Sequence, residues 1–256
     1  TDKNYTIFQH NFFNFQKNCE VIIEDNFDLS ENTINNIQYN IEVNEGSNIK
    51  HNIFQNFSSS NKLFLTSNTT CEKNTFFKQN SFNFADGFVR NFHNAKLNGE
   101  FSKAILNGCF FLKNNNSCSN KTFITHYAEN CESDQCYKGV LYDSSKANYY
   151  SNTFVAEDAQ KTQGYQLSKG ILLTDNCSFF SKPELRIFAD DVKCSHGSTI
   201  GPVDQSALFY LRSRGINNNE AIKMLIFSFI EDDLQNLDKT NIERISKDLS
   251  NYLTDI

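Results

Sequence analysis

Apolar and polar residues alternate in short bursts from residue 1 to about residue 200. Segments such as "CEVIIED" (19–25), "KLFLT" (62–66), "KAILNGCFFL" (103–112) and "GILLTD" (170–175) combine branched or aromatic residues with this alternation. Clusters of Asn, Ser and Asp separate them. A period of two predicts strands, and no segment in this stretch sustains a helical period. Two prolines and ten glycines leave few tight hairpins, Asn98-Gly99 and Asn107-Gly108 being the expected pair. Asparagine tolerates left-handed backbone and can form many other corners. Such a chain fits an antiparallel sandwich or barrel, or a β-solenoid that turns corners without hairpins. The recurrences follow no strict period, so the pattern alone leaves both open.

The period changes at Pro202. "VDQSALFYLRSRG" reads as a helix with Asp204 as cap, an apolar stripe through Ala207, Leu208 and Leu211, and Gly215 as stop. "NNNEAIKMLIFSFIEDDL" follows with Asn219 as the expected cap, apolar on most faces and therefore expected to be mostly buried. "TNIERISKDLSNYL" opens on a capping box, Thr240 to Glu243, and sets Ile242, Ile245, Leu249, Tyr252 and Leu253 on one side. The expected division is a β body over 1–201 and a helical region over 202–256. The helical region is too short to hold much core alone, so its apolar faces must pack on each other, on the β body or on a partner.

At 29.4 kDa the chain can bury a substantial core. Its formal charge of −6 and isoelectric point near 5.4 argue against a nucleic-acid partner, which calls for a basic face. No apolar run approaches membrane-spanning length, and "TDKNYTIFQH" lacks the basic-then-apolar pattern of a signal peptide. The eight cysteines are scattered through a long chain and read as free thiols in a reducing compartment.

The chemistry-bearing candidate is "DVKCSHGSTIG" (191–201), in which Cys194 and His196 are two residues apart. The pair supplies two ligands, fewer than a structural or catalytic zinc site needs, and His10, His51, His93 and His126 are isolated in sequence. Residues two apart on a strand share a face but seldom align for proton transfer, which weighs against a cysteine–histidine hydrolase. A buried thiol and a surface imidazole are the plainer reading. Phosphate-cradling loops and the nucleophile elbow are absent. The acidic runs Asp190-Asp191 and Glu231-Asp232-Asp233 read as solvated surface. Phe110-Phe111 and Phe179-Phe180 read as core.

Longer segments carry a resemblance. "VAEDAQKTQGYQLSKGILLTD", "SKPELRIFADDVKCSHGSTIG" and "DQSALFYLRSRGI" closely resemble the SufB/SufD family of the SUF iron–sulfur cluster assembly system, and its SufD branch in particular. "YKGVLYD" (137–143) and "ITHYAEN" (124–130) fit more loosely. The resemblance covers about residues 124–230 and is densest over 183–216. It implies a right-handed parallel β-helix followed by a C-terminal α-helical domain, which resolves the choice of architecture. It implies a non-catalytic scaffold that pairs with a SufB-like paralogue, with a homodimer in isolation as the other possibility. A SufC-like ABC ATPase would dock on the helices between Ala207 and Phe229, with Ala207, Leu208, Phe209, Tyr210, Arg212, Arg214 and Gly215 as its contacts.

On the same resemblance, His196 and Cys194 lie at the joint with the paralogue, where they meet transient iron or a nascent iron–sulfur cluster. SufB-type chains carry a cysteine where Leu167 follows Gln166, and an acidic residue in place of the motif histidine, so both positions favour SufD. Cys177 stays an open candidate. The expected compartment is a bacterial cytoplasm or a plastid-type organelle, with no membrane or nucleic-acid partner. A departure is that the family usually opens with a helical N-terminal domain, whereas this chain opens in strand-like sequence. Two other readings remain at this stage. One is a stand-alone metal-binding enzyme using Cys194 and His196. The other is a secreted, Asn-rich β-solenoid that binds a surface or glycan.

Overall fold

The computed structural model describes residues 5–29, 32–57, 61–234 and 237–255. Strands follow one another as β1 (Tyr5–Phe15), β2 (Glu20–Phe27), β3 (Thr33–Val43), β4 (Asn48–Gln55), β5 (Lys62–Cys71), β6 (Phe76–Asn83) and β7 (Phe88–Leu97). The series continues with β8 (Lys103–Leu112), β9 (Ser117–His126), β10 (Glu132–Leu141), β11 (Lys146–Val155), β12 (Thr162–Leu172), β13 (Ser178–Ile187) and β14 (Val192–Pro202). Odd strands form one seven-stranded parallel sheet and even strands another, so the chain winds a two-sheet β-solenoid of seven coils. The sandwich or barrel alternative falls: every strand pairs with the one two places on, in parallel.

Alternation sets each strand's two faces. Ile37, Tyr39, Ile41 and Val43 of β3 point inward against Ile49 and Ile53 of β4, and the same parity repeats coil by coil as one continuous core. Coil length drifts, which hides the repeat from a search for a fixed period. Lys62 pairs with Phe88, whereas Lys146 pairs with Ser178.

Corners are made by residues in the left-handed region. Asn18, Asn74 and Asn130 have φ of 59°, 58° and 56°, and Gly46 stands between the first two at 74°. Asparagine visits this region at low cost, so one root of the asparagine enrichment is structural. Each corner amide bonds the next coil: Asn18 to the Glu45 carbonyl at 3.0 Å, Gly46 to Lys73 at 3.1 Å, Asn74 to Glu100 at 2.9 Å. The sheet ladder thus continues around the bend.

The expected Asn-Gly hairpins are corrected in both places. Asn98-Gly99 is a coil corner, where a Cβ on Gly99 would lie 2.0 Å from the Lys73 backbone nitrogen. Asn107-Gly108 sits in mid-β8. There the missing Cβ makes room for the Tyr137 ring, which would stand 2.3 Å from it.

Three helices close the chain: α1 (Gln205–Ser213), α2 (Asn218–Leu234) and α3 (Lys239–Tyr252). Asp204 caps α1 as expected, accepting from the Ser206 and Ala207 amides, and Gly215 stops it at φ 88°. The other caps shift. Asn217 accepts from the Glu220 amide before α2, and Asp238, not Thr240, caps α3. Helices α2 and α3 fold back over the outer face of the even sheet. Ile226, Ile230, Ile245, Leu249 and Tyr252 there share one apolar cluster with Phe54, Phe82, Phe111 and Val140.

The acidic run at the end of α2 is not all solvated surface. Asp233 is buried and its Oδ2 lies 2.8 Å from the equally buried Lys138 ammonium of β10. Lys138 also donates to the Phe229 carbonyl at 2.8 Å. Burial lowers the lysine's pKa, but the hydrogen bond and charge of Asp233 outweigh it and hold it above its ordinary value.

Candidate functional site

The solenoid ends on two edges. Strands β13 and β14 are the last of their sheets, so each presents one row of backbone donors and acceptors with no neighbouring strand among the described residues. Their inward positions, Ser181, Pro183 and Leu185 on β13 and Cys194 and Ile200 on β14, are only half-buried. In the coils before, residues of the same parity are sealed: Ser151 and Thr153 on β11, Gln166 and Ser168 on β12.

Cys194 and His196 both take the inward parity on β14, in register with Gly164 and Gln166 of β12. The thiol rests where Gly164 has no side chain, since a Cβ there would stand 3.3 Å from Cys194 Sγ. It packs beside Val155, Ala159, Ala189 and Val192. Burial pushes the thiol pKa up and a hydrogen bond with the Gly164 backbone works against it, so the neutral thiol is favoured.

His196 is exposed. Its register partner, Gln166, is turned to other groups and has both amide hydrogens committed. Ser151 Oγ donates to Gln166 Oε1 at 2.9 Å, and Gln166 Nε2 donates to Thr153 Oγ1 at 2.7 Å and the Glu184 carbonyl at 3.1 Å. Among the described residues His196 has no side-chain hydrogen bond or ion pair, and no three His, Cys, Asp or Glu side chains gather to hold a metal ion. The plain reading from sequence, a buried thiol and a surface imidazole, differs at the thiol: Cys194 lies within β14 and is only half-buried, because no further coil covers it, while His196 is exposed.

The other candidates separate by surroundings. Cys177 is buried at the corner before β13, its thiol directed at the Thr174 carbonyl at 3.1 Å and the Leu141 carbonyl at 3.6 Å. It serves the corner rather than the edge. Leu167 takes the outward parity of β12, opposite Gly197. All eight cysteines are free thiols.

On α1 the sequence-derived contacts divide in two. Leu208 is buried against Val203 and Ala221 and belongs to the chain's own packing, with Ala207 half-buried beside it. Phe209 and Tyr210 are 74% and 58% exposed, and the Arg214 guanidinium lies 5.3 Å from the Tyr210 ring centre. Arg212, Arg214 and Gly215 are exposed as well. Between this helix and the β12–β14 edge runs a groove of about 570 Å³ lined by Ile171, Ile200, Val203, Ala207, Leu225 and Phe229. Sequence reasoning did not find this groove, because it needs the return of α2 over the even sheet.

No helix among the described residues is long and apolar enough to cross a membrane. The family model for the SUF system FeS cluster assembly SufBD core domain matches residues 1–229. The iron-sulfur cluster assembly protein SufD of Escherichia coli is 34% identical over 169 residues, 66% of this chain and 38% of that protein. The Bacillus subtilis protein of the same name is 31% identical over 109 residues, 43% of this chain and 25% of that protein. Protein ABCI7, chloroplastic, of Arabidopsis thaliana is 41% identical over 90 residues, 35% of this chain and 19% of that protein. The chain thus spans well under half the length of these relatives. A match over residues 1–229 is most of the sequence, and with the parallel two-sheet solenoid it shows that this chain belongs to the SufBD core family of the SUF iron–sulfur cluster assembly system.

Proposed function

We propose that the chain is a non-catalytic scaffold subunit of SufD type, joined to a SufB-like paralogue through the open β13–β14 end. The observation that carries this reading is the coincidence of three features on β14. Among the described residues it is an unpaired edge, it has a half-open inner face, and it bears a histidine with no side-chain partner. Edge strands of this length invite pairing with another chain, and a second solenoid end would extend both sheets and seal both interiors. A second copy of this chain offers the same edges and is the fallback partner when the paralogue is missing.

His196 and Cys194 then face the joint. Iron or a nascent cluster is cargo there rather than a resident group, and two ligands from this chain leave room for others from the facing subunit. The neutral thiol of Cys194 must lose its proton to bind metal, so His196 is the readier ligand.

The ATPase contact is proposed at α1. Phe209 and Tyr210, flanked by Arg212 and Arg214, make an exposed aromatic and cationic knob of the kind enriched at interfaces, and the adjoining groove gives a partner helix a seat. ATP hydrolysis belongs to that partner in this reading.

Co-expression with a SufB-like chain and a SufC-like ATPase tests the assembly. Recovery of all three in one complex is expected. Phe209→Ala with Tyr210→Ala should release the ATPase and keep the paralogue. Loss of both partners, or of neither, contradicts the assignment of separate surfaces.

A further inference from the structure

Among the described residues no helix lies on the outer face of the odd sheet, and the chemistry of that face differs from that of the whole chain. From β3 to β13 the outward strand positions hold seven cations against two carboxylates, Glu42 and Glu184. That is a formal +5 on one face of a chain with a formal charge of −6. Among the described residues, Lys62, Arg90, Lys96, Lys121, Lys146 and Lys182 form no ion pair; the seventh, Arg186, holds Glu184 at 2.7 Å. Seven like charges on one sheet face repel one another, and six of them have no carboxylate partner to offset that.

Aromatic rings interleave with them. The pairing register puts Phe92, Lys121, Tyr150 and Lys182 in one row across β7, β9, β11 and β13. The ammonium groups of Lys121 and Lys182 stand 6.0 and 5.6 Å from the Tyr150 ring centre. Beside this row opens a cleft of about 480 Å³ walled by Phe64, Phe92 and Phe123, with Arg90 and Lys121 at its sides. Next to it Asn40, Asn68 and Asn94 form a neutral amide row.

We propose that this face docks an acidic segment of a partner protein, one of whose apolar side chains enters the Phe64–Phe92–Phe123 cleft while its carboxylates meet Arg90 and Lys121. Charge complementarity selects the sign of the partner. The cleft has room for one or two side chains, and the asparagine row offers donors and acceptors to a peptide backbone. A long nucleic acid fits less well, since it would run beyond the face onto a surface that is negative in sum, within a screening length of only about 8–10 Å. The cleft sits on β5, β7 and β9, on the sheet opposite the helices and two strands in from the β13 edge, so the inference stands independently of the assembly role above.

The probe is a short fluorescent peptide of Asp and Glu around one central Phe, titrated into the intact chain and followed by anisotropy. Binding is expected, weakening as NaCl rises from about 50 to about 500 mM. Affinity should fall about tenfold for the double variant Arg90→Glu with Lys121→Glu. A control peptide with Ser for Phe should bind less tightly. A thermal melt of the double variant matching the parent shows that the loss is local. The proposal is overturned if the acidic peptide does not bind, if the double variant binds it as well as the parent, or if a thymidine oligonucleotide binds more tightly than the peptide.

Discussion

Removing the carboxylate of Asp233 should unpin α2 from the solenoid. In the parent, Lys138 and Asp233 are 6% and 7% exposed and 2.8 Å apart, under a helix whose other anchors are Ile226 and Ile230. Asp233→Ala leaves the Lys138 ammonium buried with the Phe229 carbonyl as its remaining hydrogen-bond acceptor. An uncompensated buried charge costs about 3–5 kcal/mol. The reverse deletion should cost less. Lys138→Met leaves Asp233 near the ammonium of Lys78, which already feels its charge, so about 1–3 kcal/mol is expected. The double variant Lys138→Met with Asp233→Leu removes both charges and should fall within about 1 kcal/mol of the parent. Urea unfolding followed by circular dichroism gives the three values, and hydrogen exchange of the α2 amides shows whether the loss is local to the helix. An Asp233→Ala cost under about 1 kcal/mol, or a double variant as unstable as Asp233→Ala, would show that the buried pair does not hold α2 in this way.

Three further outcomes follow from the coil geometry. Gly108→Ala should cost about 1–3 kcal/mol, because its Cβ would stand 2.3 Å from the Tyr137 ring, whereas Gly201→Ala meets nothing within 4 Å and should be near neutral. Phe101→Asn should stabilise by about 0.5–1 kcal/mol, since this exposed phenylalanine holds φ 59° at a corner where neighbouring coils use Asn74 and Asn130; thermal melts check both. His93 and His126, buried among coil interiors, have pKa values lowered by burial to about 3 and about 4. They stay neutral when folded and bind protons only on unfolding below about pH 6.5. Stability should therefore fall as pH drops from about 6.5 to about 5, with a slope that grows toward about 1.4 kcal/mol per unit for each histidine. Asp134 and Asp248, raised by burial, act in the opposite sense closer to the carboxylate range. His93→Gln with His126→Gln should flatten this slope, and an unchanged slope in the double variant refutes the assignment.

The strands were legible because alternation is a local signal: "KAILNGCFFL" is β8, and its parity alone says which side chains share a face. The coil repeat was not, because corner lengths vary while the sheets stay in register. Phe110 and Phe111 show what parity adds and what it lacks. Phe110 enters the solenoid core, whereas Phe111 is buried only because α2 and α3 return over it. The same return buries Asp233, which looks like surface in "IEDDL" until its partner on β10 is known. Asn107-Gly108 misled for a related reason, since the ring that requires the glycine arrives from the following coil. At the candidate site, the spacing of Cys194 and His196 put both on one face. That this face belongs to the last, open coil came from the pairing order.

In the proposed assembly, His196 on the open β14 end is half of a site completed by a facing chain. The direct measurement is iron–sulfur cluster formation on the co-purified assembly with His196→Ala in this subunit. The complex with the SufB-like chain and the ATPase should be recovered in full while cluster formation is lost. Cluster formation undiminished in an intact His196→Ala complex contradicts the shared site.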